Sequence, residues 1–274
     1  MNFTDKIVWI TGASSGIGEA LAHAFAAEGA HIILSGRRTE ALEQVAAGIT
    51  TDTLILPFET TDYDALPGKV EEARSWKGQV DILVNNAGIS QRSLALDTHP
   101  DVHHKIINVD LLAPIWLTQL LLPHMIAAGG GHIVGISSVA GRVGVPLRTA
   151  YCAAKHGLIG YMDALRAETE KLHDIHVTNI LPGSIRTNVS RNALTKEGES
   201  RGKSDAAIDN GMDPAECARQ IVNAVRNNVP ELLIAEGGEA MIAKLRQSDP
   251  DKCFAMTAAM GAQIAEKYQA GEDD

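Results

Sequence analysis

The sequence predicts an α/β fold of three layers, a doubly wound parallel sheet between two layers of helices, and three observations predict it. Short aliphatic and β-branched runs alternate with longer segments of helical period, the pattern of successive βαβ units. The runs are apolar throughout, as in Ile7-Val8-Trp9-Ile10 and Ile32-Ile33-Leu34, which suits strands covered by helices on both faces. A glycine-rich turn, Thr11-Gly12-Ala13-Ser14-Ser15-Gly16-Ile17-Gly18, joins the first run directly to an amphipathic helix beginning near Ile17. Seven strands are expected in order, over residues 6–10, 31–35, 53–58, 80–85, 132–138, 176–181 and 231–235. Most are separated by helix-like segments.

No repeat or low-complexity linker divides the 274 residues, so residues 1–274 are expected to form one domain. With 45% hydrophobic and 21% charged residues, such a chain buries a core without disulfides or metal staples. A net charge of −10 argues against a nucleic-acid or anionic-membrane partner. The three cysteines, Cys152, Cys217 and Cys253, are widely spaced with no CxxC, which suits reduced thiols and a cytoplasmic protein. No zinc-type ligand set is present, and no metal is expected. The apolar run after Lys6 is too short for a signal-peptide core. Residues 111–128 are interrupted by Pro114, Gln119, Pro123 and His124, and read as a buried helix rather than a membrane span. Residues 184–212 are polar, with Asn188, Ser190, Arg191, Thr195, Lys196, Gly198 and Gly202, and are expected to form a mobile excursion over a substrate. Residues 237–274 turn helical again, with Met241, Ile242, Leu245, Phe254, Met256 and Met260 available for core or subunit packing.

Chemistry enters at the glycine turn. Glycines permit close backbone approach to a pyrophosphate, and the first N–H groups of the following helix favour its negative charge. The spacing is G-x-x-x-G-x-G, without the Lys-Ser/Thr pair of a Walker-type loop. At the end of the second strand, where an NAD enzyme places an acid for the ribose 2′-hydroxyl, the chain reads Ser35-Gly36-Arg37-Arg38. An arginine fork suits a 2′-phosphate, so NADP(H) is expected as the preferred cofactor, with NAD(H) possible and Arg37, nearest the strand end, the stronger contact. Tyr151 and Lys155 lie four residues apart on a helical segment and face the same way. A phenol with an ordinary pKa of about 10 is a poor acid near neutral pH, and an adjacent ammonium lowers that value by ~1–3 units. The adjacent pair His103-His104 points to different helix faces, Cys152 faces away from Tyr151, and Ser138 lacks a G-x-S-x-G setting.

Taken together these motifs resemble the short-chain dehydrogenases/reductases over roughly residues 4–235. Thr11 to Gly18 matches the family's glycine turn, Asn85-Asn86-Ala87-Gly88 its Asn-Asn-Ala-Gly motif, and Tyr151 to Lys155 its Tyr-x-x-x-Lys pair. Ser138 precedes Tyr151 by the family's usual 13 residues, and Asn108 in Ile106-Ile107-Asn108-Val109 matches its active-site asparagine. Pro182-Gly183, with Ile185 and Thr187, is similar to the segment that covers the nicotinamide. The stretch from Tyr151 to Gly157 with Leu165-Arg166-Ala167-Glu168 is most similar to the DHRS7-type and 11β-hydroxysteroid dehydrogenase-like subgroup.

The resemblance implies a Rossmann fold and a catalytic set of Asn108, Ser138, Tyr151 and Lys155. It implies cofactor contacts from Gly12, Ser14, Ser15, Gly16, Ile17, Gly18, Arg37, Arg38, Asn86, Ala87, Gly88, Tyr151, Lys155, Pro182, Gly183, Ile185 and Thr187. Glu59-Thr60 stands where the family often has Asp-Val beside the adenine, and Ser15 where many NADP-linked members carry a basic residue. The expected function is NADP(H)-dependent interconversion of a carbonyl and a secondary alcohol. The alternatives are an NAD-dependent alcohol dehydrogenase and a non-catalytic dinucleotide sensor. A small-molecule substrate and self-association as a homodimer or homotetramer, through residues 99–128 and 149–173, are expected.

Overall fold

Each of the seven apolar runs becomes a strand of one sheet in the computed structural model, which describes residues 1–272. The strands are β1 (Ile7–Thr11), β2 (His31–Ser35), β3 (Thr53–Ile55), β4 (Ile82–Asn85), β5 (Gly131–Ile136), β6 (Ile175–Pro182) and β7 (Glu231–Ile234). Their order is β3-β2-β1-β4-β5-β6-β7, parallel throughout. β3 ends sooner than its sequence run because Pro57 has no N–H to continue the ladder. Leu56 and Phe58 still donate to Leu34 O and Gly36 O at 2.9 and 3.1 Å. Ser138 lies just beyond β5 rather than on it, capping a short 3-10 turn over Val139–Gly141.

The helices are α1 (Gly16–Ala27), α2 (Thr39–Ala47), α3 (Leu66–Lys77), α4 (Pro100–Ile107), α5 (Ala113–Ala127), α6 (Thr149–His173), α7 (Ala206–Asp209), α8 (Pro214–Arg226), α9 (Gly237–Ser248) and α10 (Pro250–Gln269). Strand alternation divides the core between two layers. Val8 and Ile10 pack with Leu21 and Phe25 of α1 and Ile221 of α8, while Trp9 and Ile33 face Val70 of α3, Leu121 of α5 and Met162 of α6. Trp9 is fully enclosed and donates its indole N–H to Ser35 Oγ at 2.8 Å, so the polar edge of a large apolar ring is satisfied.

Helix ends follow local chemistry. Asp213 caps α8 through Ala215 N with Pro214 at the first position, and Asp249 caps α10 with Pro250 there. Helices α4 and α5 run on through one π turn, Asn108–Leu112. This stretch, Pro100–Ala127, is among the described residues the one helix long and apolar enough to cross a membrane by length and composition. Its Leu117, Leu121 and Met125 pack on the sheet, while Leu112 and Trp116 are both 41% exposed.

Residues 184–212 are tied to the body rather than left loose. Asp205, 6% exposed, takes ion contacts from Arg92 at 2.9 Å, Arg148 at 2.9 Å and Arg201 at 2.6 Å, and its N–H donates to Ser190 Oγ. Fixing one carboxylate with three guanidinium groups orders the polar segment that composition alone marks as mobile.

The sheet also contains a pH-sensitive point. His132 on β5 is fully buried, with Nε2 2.8 Å from Thr178 Oγ1. Burial first, and then the charge of His176 and of the N-terminal ammonium, lower its pKa to about 3. An unfolded chain takes up this proton below pH ~6.5, and the folded chain does not until about pH 3. Stability therefore falls across that window as pH drops, by at most about 1.4 kcal/mol per pH unit from this group. His132→Val should flatten the acid limb of a urea-unfolding series, since Thr178 keeps its bond to Val229 O. An unchanged slope would remove His132 as a source of the acid sensitivity.

Candidate active site

β1 and β4 are neighbours at the point where strand order reverses, and in doubly wound sheets ligands bind beyond the carboxyl ends of such strands. A cleft of about 870 Å³ opens there. Thr11 Oγ1 accepts from both Asn86 N and Ala87 N at 3.1 Å, and Asn86 Nδ2 donates to Thr11 O and Gly12 O at 2.9 and 3.2 Å. The Asn-Asn-Ala-Gly segment thus clamps the glycine turn, with Asn85 Nδ2 bonded to Thr118 Oγ1 beneath it.

The turn depends on missing side chains. Gly12 and Gly16 have φ of 65° and 63°, and a Cβ on Gly12 would stand 2.8 Å from Ala87 Cα. Gly12, Ser14, Ser15, Gly16 and Ile17 line the cleft. Gly18 does not: it is buried behind the turn, where a Cβ would stand 2.3 Å from Gly12 O. The missing side chain lets α1 pack on the turn. Ser15, at the N-terminal cap of α1, makes no side-chain cap bond. The turn and helix start fit a pyrophosphate on these grounds.

Beyond the ends of β2 and β3, Arg37, Arg38, Glu59 and Thr60 all border the cleft. Arg38 donates to Ser14 Oγ at 3.2 Å, and Arg37, 69% exposed at its side chain, lies 3.5 Å from Glu59 Oε2. Asn86, Ala87 and Gly88 border the cleft as well.

Asn108, Ser138, Tyr151 and Lys155 also border the cleft. Asn108 opens the π turn, a distortion frequent at functional sites. Ser138 Oγ accepts from Ala140 N at 3.1 Å and donates to Pro182 O at 3.3 Å. Tyr151 is half-buried in the first turn of α6, and Lys155, 4% exposed, stands one turn on with Nζ 5.5 Å from the phenol ring centroid. Lys155 Nζ donates to Ile136 O at 3.1 Å, and Ser137 Oγ to Lys155 O at 2.9 Å. Cys152 is enclosed beside Tyr151, and burial pushes its thiol up, against a nucleophilic role.

Pro182, Gly183, Ile185 and Thr187 border the cleft too. Glu239 of α9 accepts from Ser184 N and Ser184 Oγ at 2.8 and 2.9 Å, and a Cβ on Gly183 would stand 2.2 Å from its Oε2. The C-terminal helices therefore latch this segment, a function hidden in the sequence because Glu239 lies far along the chain in an otherwise ordinary helix. Asp110, buried against Lys155 at 3.1 Å, was likewise missed. The available signal was a lone acid within the apolar run Ile106 to Leu112.

A clamped glycine turn at the switch point of a parallel sheet defines a dinucleotide-binding protein of the doubly wound class. The family described as short chain dehydrogenase matches residues 6–198. A dehydrogenase/reductase SDR family protein 7-like from Anopheles gambiae is 43% identical, covering 91% of this chain and 81% of that one. Dehydrogenase/reductase SDR family member 7B from Bos taurus is 38% identical, covering 93% and 81%. The crystal structure of a short-chain dehydrogenase from Streptomyces avermitilis has a TM-score of 0.76 at 28% identity, covering 99% of this chain and 98% of that one. The chain belongs to the short-chain dehydrogenase family, in the subgroup of members 7 and 7B. It is an oxidoreductase that interconverts CH–OH and C=O groups with NAD(P).

Proposed function

We propose that the protein prefers NADP(H) and carries out this interconversion on a small-molecule carbonyl or secondary alcohol with Ser138, Tyr151, Lys155 and Asn108. The observation that carries the proposal is that Ser138 and one face of α6, Tyr151 with Lys155, border the same cleft as the glycine turn and the two arginines. When bound, the nicotinamide supplies or accepts the hydride. Ser138 Oγ hydrogen-bonds the substrate oxygen, and Tyr151 delivers a proton to it in the reductive direction. Lys155 stabilises the phenolate left behind and holds the nicotinamide ribose. Asn108 holds a water that connects Lys155 to solvent. A non-catalytic sensor has no physical need of this proton donor.

The substrate half of the cleft lies between Ile89 and residues Val189, Asn192 and Leu194. The exposed Leu112 and Trp116 support self-association as a homodimer or homotetramer, and three buried free thiols support a reducing, cytoplasmic setting.

The arginines favour NADP(H), since charge-assisted bonds to a 2′-phosphate are worth roughly 1.5–3 kcal/mol each, or at least about tenfold in affinity. The Glu59 carboxylate beside Arg37, and Ser15 in place of a basic residue in the glycine turn, stand on the side of an NAD-linked enzyme. Fluorescence titration of both reduced cofactors tests the choice. The parent should bind NADPH at least about tenfold tighter than NADH, and Arg37→Ala should weaken NADPH much more than NADH. Equal losses, or tighter NADH binding by the parent, would reduce the arginines to a solvated helix start.

A further inference from the structure

Helices α9 and α10 lie beyond residues 6–198, the stretch that the family match spans, and they take two separate holds on the walls of the cleft. The first hold is polar. Gly183 N donates to Ile234 O at 2.8 Å, which carries the pairing of β6 and β7 one residue past Pro182. The next N–H, that of Ser184, goes instead to Glu239 Oε2 at 2.8 Å, and Ser184 Oγ donates to Glu239 Oε1 at 2.9 Å. A carboxylate that accepts from both the backbone and the side chain of one residue fixes its orientation as well as its place. Glu239 comes so close that a Cβ on Gly183 would meet Oε2, so the glycine is required on the α9 side of the segment.

Along this segment Gly183, Ile185 and Thr187 border the cleft, while Ser184 turns to α9. Glu239 itself does not border the cleft, so it acts there only through Ser184. The second hold is apolar. Ala243 of α9 and Cys253 of α10 are buried with Val139 and Val143, in and just after the short turn that Ser138 caps. Ser138 Oγ in turn donates to Pro182 O at 3.3 Å. The Ser138 turn and the segment are thus joined to each other, and each is joined to the same pair of helices.

We infer that Glu239 is a positioning residue for the nicotinamide half of the cofactor: through Ser184 it holds residues 182–187 where they enclose that half, which makes the C-terminal helices part of the cofactor site. The inference rests on the function proposed above, which puts the nicotinamide beside Ser138 and Tyr151. The segment is also bridged to the far end of the polar excursion, where Met212 N donates to Ser184 O at 3.0 Å and Arg186 N to Met212 O at 2.9 Å. These backbone bonds do not involve Glu239. Its loss therefore loosens the segment without detaching it, and weakens binding by a step rather than abolishing it.

Calorimetric titration of NADPH and of 2′-phospho-ADP-ribose, which lacks the nicotinamide ring, separates the two halves of the cofactor. NADH and ADP-ribose take their place if the parent prefers NADH. Glu239→Ala should weaken NADPH by about tenfold, the worth of one charge-assisted bond, and leave the fragment within about twofold of the parent. Glu239→Gln keeps the side-chain size and one acceptor, and should fall between the two. A purely structural Glu239 would lower the melting temperature and leave the ratio of the two affinities where it was. An unchanged ratio in folded Glu239→Ala overturns the proposal. If that variant does not fold, Ser184→Ala removes only the hydroxyl arm of the latch and should move the ratio the same way by about threefold. An unchanged ratio there overturns the proposal equally. The titrations need no turnover, so a parent that binds cofactor and turns over no carbonyl would count against the proposed catalytic set alone.

Discussion

Replacing Tyr151 with Phe should lower turnover by at least about a hundredfold, the lower end of what a positioned proton donor contributes. The phenol ring, half-buried at the start of α6, is retained in the variant, and so is its contact with the Lys155 ammonium 5.5 Å away. Affinity for the reduced cofactor should therefore stay within about twofold of the parent, because only a hydroxyl aimed at substrate is lost. Steady-state assay with parallel cofactor titration separates the two quantities. Near-normal turnover would remove Tyr151 from the mechanism, and a large loss of cofactor affinity would make it chiefly a binding residue.

Lys155→Met should damage both quantities together. One ammonium is assigned to the nicotinamide ribose and to the phenolate, and Met fills a similar volume without the charge. The loss in turnover should equal or exceed about a hundredfold, with cofactor affinity weaker by about tenfold or more, the value of one charge-assisted bond. The substitution also strands Asp110, which is fully buried and already pushed toward its protonated form. Removing one partner of a buried pair costs about 3–5 kcal/mol, so the variant should also melt lower than the parent. Parent-like cofactor affinity together with an unshifted pH–rate profile would take both roles from Lys155.

Much of this was legible in the chain because it is local. Seven apolar runs become seven parallel strands, and Pro57 accounts for the one that ends markedly early. The glycine turn, the Asn-Asn-Ala-Gly segment and the Tyr151–Lys155 spacing are contiguous signals whose residues converge on one cleft. What stayed hidden depends on partners far apart in sequence. Glu239 is an unremarkable helix residue until the fold brings it to Ser184, and Asp205 reads as a loop acid until Arg92, Arg148 and Arg201 surround it. Asp110 is invisible to helical periodicity because a π turn shifts the phase after Asn108. Gly18 gains a further meaning from the fold, because the close approach that it permits is to Gly12 O.

The most direct measurement of the central claim is a panel of carbonyls and secondary alcohols, assayed at the nicotinamide absorbance band with NADPH/NADP and NADH/NAD, for the parent and Tyr151→Phe side by side. The account predicts carbonyl-dependent consumption of NADPH by the parent, slower with NADH, and reduced at least about a hundredfold by the single hydroxyl deletion. Tight cofactor binding without turnover of any compound would contradict it in favour of a sensor, and equal rates from parent and variant would contradict the role of Tyr151.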